Sequence, residues 1–154
     1  MSDAPAAMEN LAESECWRLL RTAQLGRLAV RTEVGVDIFP INYVVDRGTV
    51  VFRTAPGTKL SAALTGERLA FEADGTGHSA SQVWSVVVHG TPSEIKELDD
   101  VLNALVLPLA PAHGAAKPRF LRILAESVTG RRFDVVDPSH WSTPISDSRR
   151  APRE

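Results

Sequence analysis

Val44-Val45-Asp46-Arg47-Gly48-Thr49-Val50-Val51-Phe52-Arg53-Thr54-Ala55-Pro56-Gly57-Thr58-Lys59-Leu60 decides how the rest of the chain is read. Two valine-rich runs flank Arg47-Gly48, and the glycine supplies the positive φ that a tight hairpin turn needs. The stretch therefore predicts two antiparallel strands, the second ending at Arg53-Thr54. A turn through Gly57 then becomes a helix start at Thr58-Lys59, with the short helix reaching residue 64. Strand, tight turn, strand and short helix follow one another within this one stretch, which is the rhythm of a β-rich fold with local connections.

Toward the N-terminus, residues 38–45 read as the strand entering the hairpin, after a turn at Glu33-Val34-Gly35. Before it, Leu28 and Val30 alternate with Arg27 and Arg31, as on a half-buried strand. Ser14 reads as the N-cap of a short helix that runs to about residue 23, with Trp17, Leu19 and Leu20 inward and Gly26 as its stop. Toward the C-terminus, residues 69–73 form a strand, Gly75-Thr76-Gly77 a loop, and residues 83–89 a longer strand. Gly90-Thr91-Pro92 punctuates that strand, and residues 93–95 continue it past a bulge. Residues 97–107 have helical spacing at Leu98, Val101, Leu102 and Leu105, and residues 108–118 form a loop rich in Pro, Ala and Gly. Residues 119–126 and 131–136 read as two closing strands joined at Thr129-Gly130. Six or seven strands with three short helices predict a mainly β protein, an antiparallel barrel rather than alternating βαβ units.

A chain of 154 residues suits one domain, read as residues 13–137 between a flexible N-terminus (1–12) and a flexible C-terminal tail (138–154). A net charge of −2 supplies no field that would draw in nucleic acid or an anionic membrane. The richest apolar stretch, residues 101–112, is interrupted by Asn103, Pro108 and Pro111, so no membrane span is expected. The N-terminus has neither a basic leader nor an apolar core, so no secretory signal is read there. Cys16 is the single cysteine, which excludes an internal disulfide and fits a reducing cytoplasm. Its neighbours Trp17, Leu19 and Leu20 make it a packed thiol. His78, His89, His113 and His140 lack the spacing of metal ligands, so no metal site is expected.

The chemistry concentrates after the hairpin. Arg53 and Lys59 bring two cations, Thr54 and Thr58 two hydroxyls, and the helix start its exposed amides, a set suited to a phosphate monoester. A lysine in the first helical turn opposes the macrodipole, and a bound anion would remove that mismatch. The competing reading is structural, with Thr58 capping the helix and Lys59 solvated. Elsewhere, Tyr43 falls in phase with Phe39, Ile41 and Val45, which predicts core packing. Asn42 shares the opposite face with Ile38, Pro40 and Val44, and Pro40 marks a strand edge or a bulge. His89 shares a face with Ser85 and Val87, opposite Trp84, Val86 and Val88. Arg131 and Arg132 must point to opposite faces, one solvated and the other ion-paired or turned to a ligand.

Taken in order, Ser14-Glu15-Cys16-Trp17-Arg18-Leu19-Leu20, Gly26-Arg27-Leu28-Ala29-Val30, Phe39-Pro40-Ile41-Asn42-Tyr43-Val44-Val45, the segment from Phe52 to Leu60, Phe71-Glu72-Ala73-Asp74, Trp84-Ser85-Val86-Val87-Val88-His89-Gly90 and Thr129-Gly130-Arg131-Arg132-Phe133 carry a family likeness. The chain resembles the pyridoxamine 5′-phosphate oxidase-like, FMN-binding split-barrel family, and in particular its small actinobacterial members. The resemblance implies an antiparallel split β-barrel. It also implies an FMN phosphate held by Arg53, Thr54, Thr58 and Lys59. The flavin ring would lie beside the backbone of Pro40, Ile41 and Asn42, near the strand carrying Trp84 and Ser85. By the same resemblance the protein is a cytoplasmic homodimer with flavin at the interface. As an enzyme of that family it would pass electrons from a reduced nicotinamide or similar donor to a small acceptor. The family also offers F420-dependent reductases and non-catalytic flavin or haem carriers as alternatives. No side chain reads as a general acid or base, so no catalytic residue is assigned. The chain departs from pyridoxamine 5′-phosphate oxidase itself, because Gly130-Arg131-Arg132-Phe133-Asp134 lacks the Arg-x-His element that helps hold the vitamin B6 substrate.

Overall fold

The computed structural model of the chain describes residues 8–97, 100 and 119–135. Its elements are β1 (Met8–Asn10), α1 (Glu13–Leu20), β2 (Leu25–Thr32), β3 (Gly35–Asp46), β4 (Thr49–Thr54), α2 (Lys59–Ala63), β5 (Leu69–Thr76), β6 (Gln82–Glu94) and β7 (Arg119–Asp134). Apart from residues 97 and 100, the helix expected over residues 97–107 lies outside the described residues, as do the loop at 108–118 and the tail after 138.

The hairpin forms as the sequence predicts. Arg47 and Gly48 both take positive φ, 48° and 70°, and they join β3 to β4. Positive φ at both central residues gives a turn whose twist matches that of the strands it connects. Among the described residues every pairing is antiparallel, and seven strands run in the order β1-β7-β4-β3-β2-β5-β6. A further β6–β7 pairing closes the sheet on itself, leaving β1 as a flap on β7. Closure removes the free edges that an open sheet of this length would expose. β1 precedes residue 13, where the domain boundary was read, and pairs with residues 131–133.

Alternation fills the barrel. Leu28 and Val30 of β2, Ile41 and Tyr43 of β3, Phe71 and Ala73 of β5, and Trp84, Val86 and Val88 of β6 are all buried in one cluster. Each large apolar side chain so buried contributes about 1.5–3 kcal/mol. Tyr43 and Phe71 meet edge to face with centroids 4.8 Å apart. The Tyr43 hydroxyl donates to the Leu20 carbonyl at 2.7 Å, tying the last turn of α1 to the barrel wall. Cys16 is buried in the same cluster, and burial pushes its thiol pKa up, as befits a packed rather than reactive group.

Several local readings are corrected. Ala12, not Ser14, is the N-cap of α1, without any side-chain cap bond, and α1 ends at Leu20 rather than near residue 23. Acidic Glu13 and Glu15 occupy its first turn instead, complementing the dipole. Gly26 does not stop α1; it lies inside β2, where a Cβ would collide with the Phe71 ring. Thr129-Gly130 does not separate two strands, because β7 is one strand of 16 residues. At Gly130 a Cβ would come within 2.6 Å of the Cys16 sulfur, so the glycine marks close packing of α1 on β7. Residues 75 and 76, read as loop, extend β5. The bulge expected near Gly90 is present as a register shift between His89 and Gly90.

Candidate functional site

The turn that leaves β4 is built by hydroxyls. Thr58 is the N-cap of α2, and its Oγ1 accepts the Ser61 N–H at 3.1 Å and donates to the Ala55 carbonyl at 2.8 Å. Thr54 Oγ1, buried, lies 3.1 Å from Thr58 Oγ1. A hydroxyl has one proton and two lone pairs, so with Thr54 as donor the Thr58 oxygen is fully used. The capping reading of Thr58 therefore holds, and the two threonines shape the turn from within. The first-turn amides, at Lys59 and Leu60, are those for which a helix provides no carbonyl partner.

The two cations have different settings. Arg53 leaves β4 on the face opposite Thr54, half-buried and across the ladder from Phe120. Lys59 is 79% exposed and its Nζ lies 3.5 Å from Asp37 Oδ2 on β3. An exposed pair of this kind contributes only about 0–1 kcal/mol, so an incoming anion can recruit Lys59 at little cost. Lys59 and Asp37 stand at a groove of about 550 Å³ between α2 and the β2–β3 hairpin, which Arg31, Thr32 and Glu67 also line.

Two residues missed by sequence reading complete the turn. Arg119, at the start of β7, sits directly across the ladder from Thr54. Its Nη1 donates to the Ser61 carbonyl at 3.2 Å and also to Ser61 Oγ. Its Nε and Nη2 donate to the two Glu94 carboxylate oxygens at 3.2 and 3.1 Å. That hydrogen bonding holds the Glu94 carboxyl below its ordinary pKa, against the opposing effect of desolvation, and raises Arg119 in turn. Only the phase of β7 could have hinted at Arg119, since 58 residues separate it from Ser61.

The remaining expected residues divide between two faces. Pro40 and Asn42 are exposed on the outer face of β3, while Ile41 between them is buried. The β3–β4 ladder covers only Tyr43 to Asp46, so the β4 side of β3 is unpaired at Pro40 among the described residues. A proline is tolerated on such a margin, as its place in the sequence led us to expect. Trp84 is only 2% exposed and turns into the core against Gly75, so its side chain shares no surface with the turn. Ser85 faces outward and donates to Glu72 at 3.0 Å, and Glu72 accepts from Arg27 at 3.0 Å. Of the arginine pair, Arg131 is exposed, and Arg132 binds Glu15 at 2.9 Å and Glu9 at 3.5 Å. Arg132 is thus the ion-paired member, fastening α1 and β1 to β7. Among the described residues no helix is long and apolar enough to cross a membrane, and no three His, Cys, Asp or Glu cluster to hold a metal.

Residues 12–132 match the family described as pyridoxamine 5′-phosphate oxidase. The structure is similar to that of the FAD binding protein from Mycobacterium smegmatis, with 40% identity and a TM-score of 0.75 over 83% of this chain and 100% of that one. It is also similar to a conserved protein of unknown function from Corynebacterium diphtheriae, with 32% identity and a TM-score of 0.69 over 82% and 98% of the two chains. An uncharacterized protein of Mycobacterium tuberculosis is 32% identical over 128 residues, covering 80% of this chain and 84% of that one.

Proposed function

The chain belongs to the pyridoxamine 5′-phosphate oxidase family, as a split-barrel member distinct from the vitamin B6 enzyme itself, and from that premise we propose that it is a flavoprotein whose flavin phosphate rests on the turn between β4 and α2. One observation carries the reading. The hydroxyls of Thr54 and Thr58 are spent inside the turn, leaving the Lys59 and Leu60 amides, which have no helical carbonyl partner, as its donors, with the exposed Lys59 ammonium in the same turn. That set suits a phosphate in charge and in donor geometry. FMN is its simplest ligand; FAD, which the Mycobacterium smegmatis relative binds, carries the same first phosphate.

The flavin ring lies along the outer margin of β3, where Pro40 and Asn42 face outward and the backbone has no β4 partner. Trp84 contributes from the core, by setting the packing behind β5, and Ser85 through its bond to Glu72. The flavin, when bound, supplies hydride and electron transfer between a reduced nicotinamide or similar donor and a small acceptor. The residues of this chain hold its phosphate, orient its ring and shield one face.

Two copies pair to complete the site. Val34, Val36 and Ile38 put exposed apolar side chains on the β2–β3 hairpin, at 91%, 68% and 68% exposure, and Leu25 is exposed at the other end of β2. The hairpin stripe, next to a ligand margin, is a surface that association covers. The packed, reduced Cys16 fits a cytoplasmic setting.

The test compares FMN with riboflavin, which lacks the phosphate, by fluorescence-quenching titration, and examines Lys59→Ala. Riboflavin is expected to bind far more weakly than FMN. Lys59→Ala is expected to weaken FMN about tenfold, the loss of one charge-assisted hydrogen bond. Equal affinities for the two flavins would refute the phosphate assignment. A Soret band, or a deazaflavin spectrum, in the freshly purified protein would move the reading to haem or F420.

A further inference from the structure

Helix α2 has five residues and no buried side chain, too little to hold its own geometry. Its first turn is nevertheless enclosed in a ring of contacts. Thr54 meets Thr58, Thr58 accepts from the Ser61 N–H, Ser61 accepts from Arg119, and Arg119 faces Thr54 across the β4–β7 ladder. The guanidinium that closes the ring is itself immobilised by two bonds to Glu94 on β6. Three barrel strands thus converge on one short turn.

We propose that Arg119 is a positioning residue for the flavin phosphate, locking the Thr58–Ser61 turn to β4, β6 and β7 through its fork to Glu94 and its bonds to Ser61. The inference rests on the phosphate assignment above. Its charge is already matched by Glu94, so Arg119 acts by geometry and not by adding a cation to the anion site. A planar fork can bond Glu94 and Ser61 at once; a lysine ammonium carries the same charge without that reach. Hydrogen bonds to phosphate weaken steeply with misalignment, so a loosened turn loses affinity for the phosphate and nothing else.

The experiment measures FMN and riboflavin affinities for wild type, Arg119→Lys, Glu94→Gln and Ser61→Ala, with thermal unfolding of each flavin-free variant alongside. Arg119→Lys is expected to weaken FMN about tenfold and leave riboflavin unchanged, so that the ratio of the two affinities falls. Glu94→Gln should shift the ratio in the same direction, because it frees the guanidinium. Ser61→Ala, which keeps the carbonyl acceptor, should lower it less. A merely structural arginine would lower both affinities together, and an unchanged ratio in Arg119→Lys and Glu94→Gln overturns the inference. If Arg119→Lys fails to fold, the Glu94→Gln and Ser61→Ala ratios decide the matter by the same criterion. Wild-type protein that does not distinguish FMN from riboflavin removes the phosphate assignment and the role of Arg119 with it. Discrimination in wild type with an unchanged ratio in the variants removes only the latter.

Discussion

Replacing Tyr43 with phenylalanine tests the joint between α1 and the barrel. The ring stays, with its edge-to-face contact to Phe71, and only the hydroxyl that donates to the Leu20 carbonyl is lost. That carbonyl belongs to the last turn of α1, where helical geometry supplies no partner. A buried acceptor left without its donor costs about 1–3 kcal/mol, more than the ~0.5–1.5 kcal/mol net value of an average hydrogen bond. We therefore expect Tyr43→Phe to raise the unfolding constant roughly 5- to 150-fold. Urea unfolding of the flavin-free protein at fixed concentration should show a lower midpoint with an unchanged slope. A loss below about 0.5 kcal/mol would refute the assigned bond, since no buried acceptor would then have been orphaned. The same hydroxyl predicts an alkaline signature. Burial, and secondarily the Glu72 charge, raise the Tyr43 pKa above its ordinary 10.0. The folded pKa exceeds the unfolded one, so this contribution is complete below pH 10 and is lost as pH rises beyond it. Tyr43 is the only tyrosine of the chain, so the phenolate absorbance band reports this group alone. Phenolate forming in the folded protein with an ordinary pKa would contradict the burial argument.

The other predictions are more local. Gly90→Ala places a Cβ against the Leu124 carbonyl oxygen, a backbone atom that cannot swing aside, and should destabilise by at least about 2 kcal/mol in the same urea assay. Glu15 is held down to about 2, first by its hydrogen bond to Arg18 and then by Arg132, against opposing desolvation. Its folded pKa lies below the ordinary 4.5, so its contribution is full above pH 4.5 and fades as pH falls toward 2. Glu15→Gln should accordingly flatten the acid limb of the stability profile, and an unaltered limb would assign acid sensitivity elsewhere. Ile38→Lys puts a charge in the exposed stripe and should yield monomers by light scattering at micromolar protein, with the far-ultraviolet circular dichroism unchanged. A persistent dimer would exclude that stripe as the contact.

The readable parts of this protein are those in which the physical cause is local. The Arg47-Gly48 turn depends on two backbone angles and the strands beside it, and it forms as read. The Leu28 and Val30 alternation, the inward Tyr43 and the Thr58 cap follow from pleat and helix geometry alone. Pro40 was legible as a margin because a missing N–H has the same consequence in any sheet. The misread glycines show where this ends. Gly26 and Gly130 carry the local signature of a stop and a turn. Yet each is required by a side chain distant in sequence, Phe71 in one case and Cys16 in the other. Nothing near either glycine encodes that contact.

The same division runs through the candidate site. By itself the sequence determined that two threonines, two cations and a helix start would gather after β4, because these residues are adjacent in the chain. Tertiary structure decided that Thr54 and Thr58 are spent inside the turn, that Lys59 meets Asp37 of β3, and that Arg53 leaves β4 on the face opposite Thr54. It also turned Trp84 into the core and brought Arg119 and Glu94 to Ser61. The reason is closure of the barrel. Pairing β7 with both β4 and β6 carries Arg119 to the turn from 58 residues away, and strand register across a closed sheet is set by the packing of the whole interior.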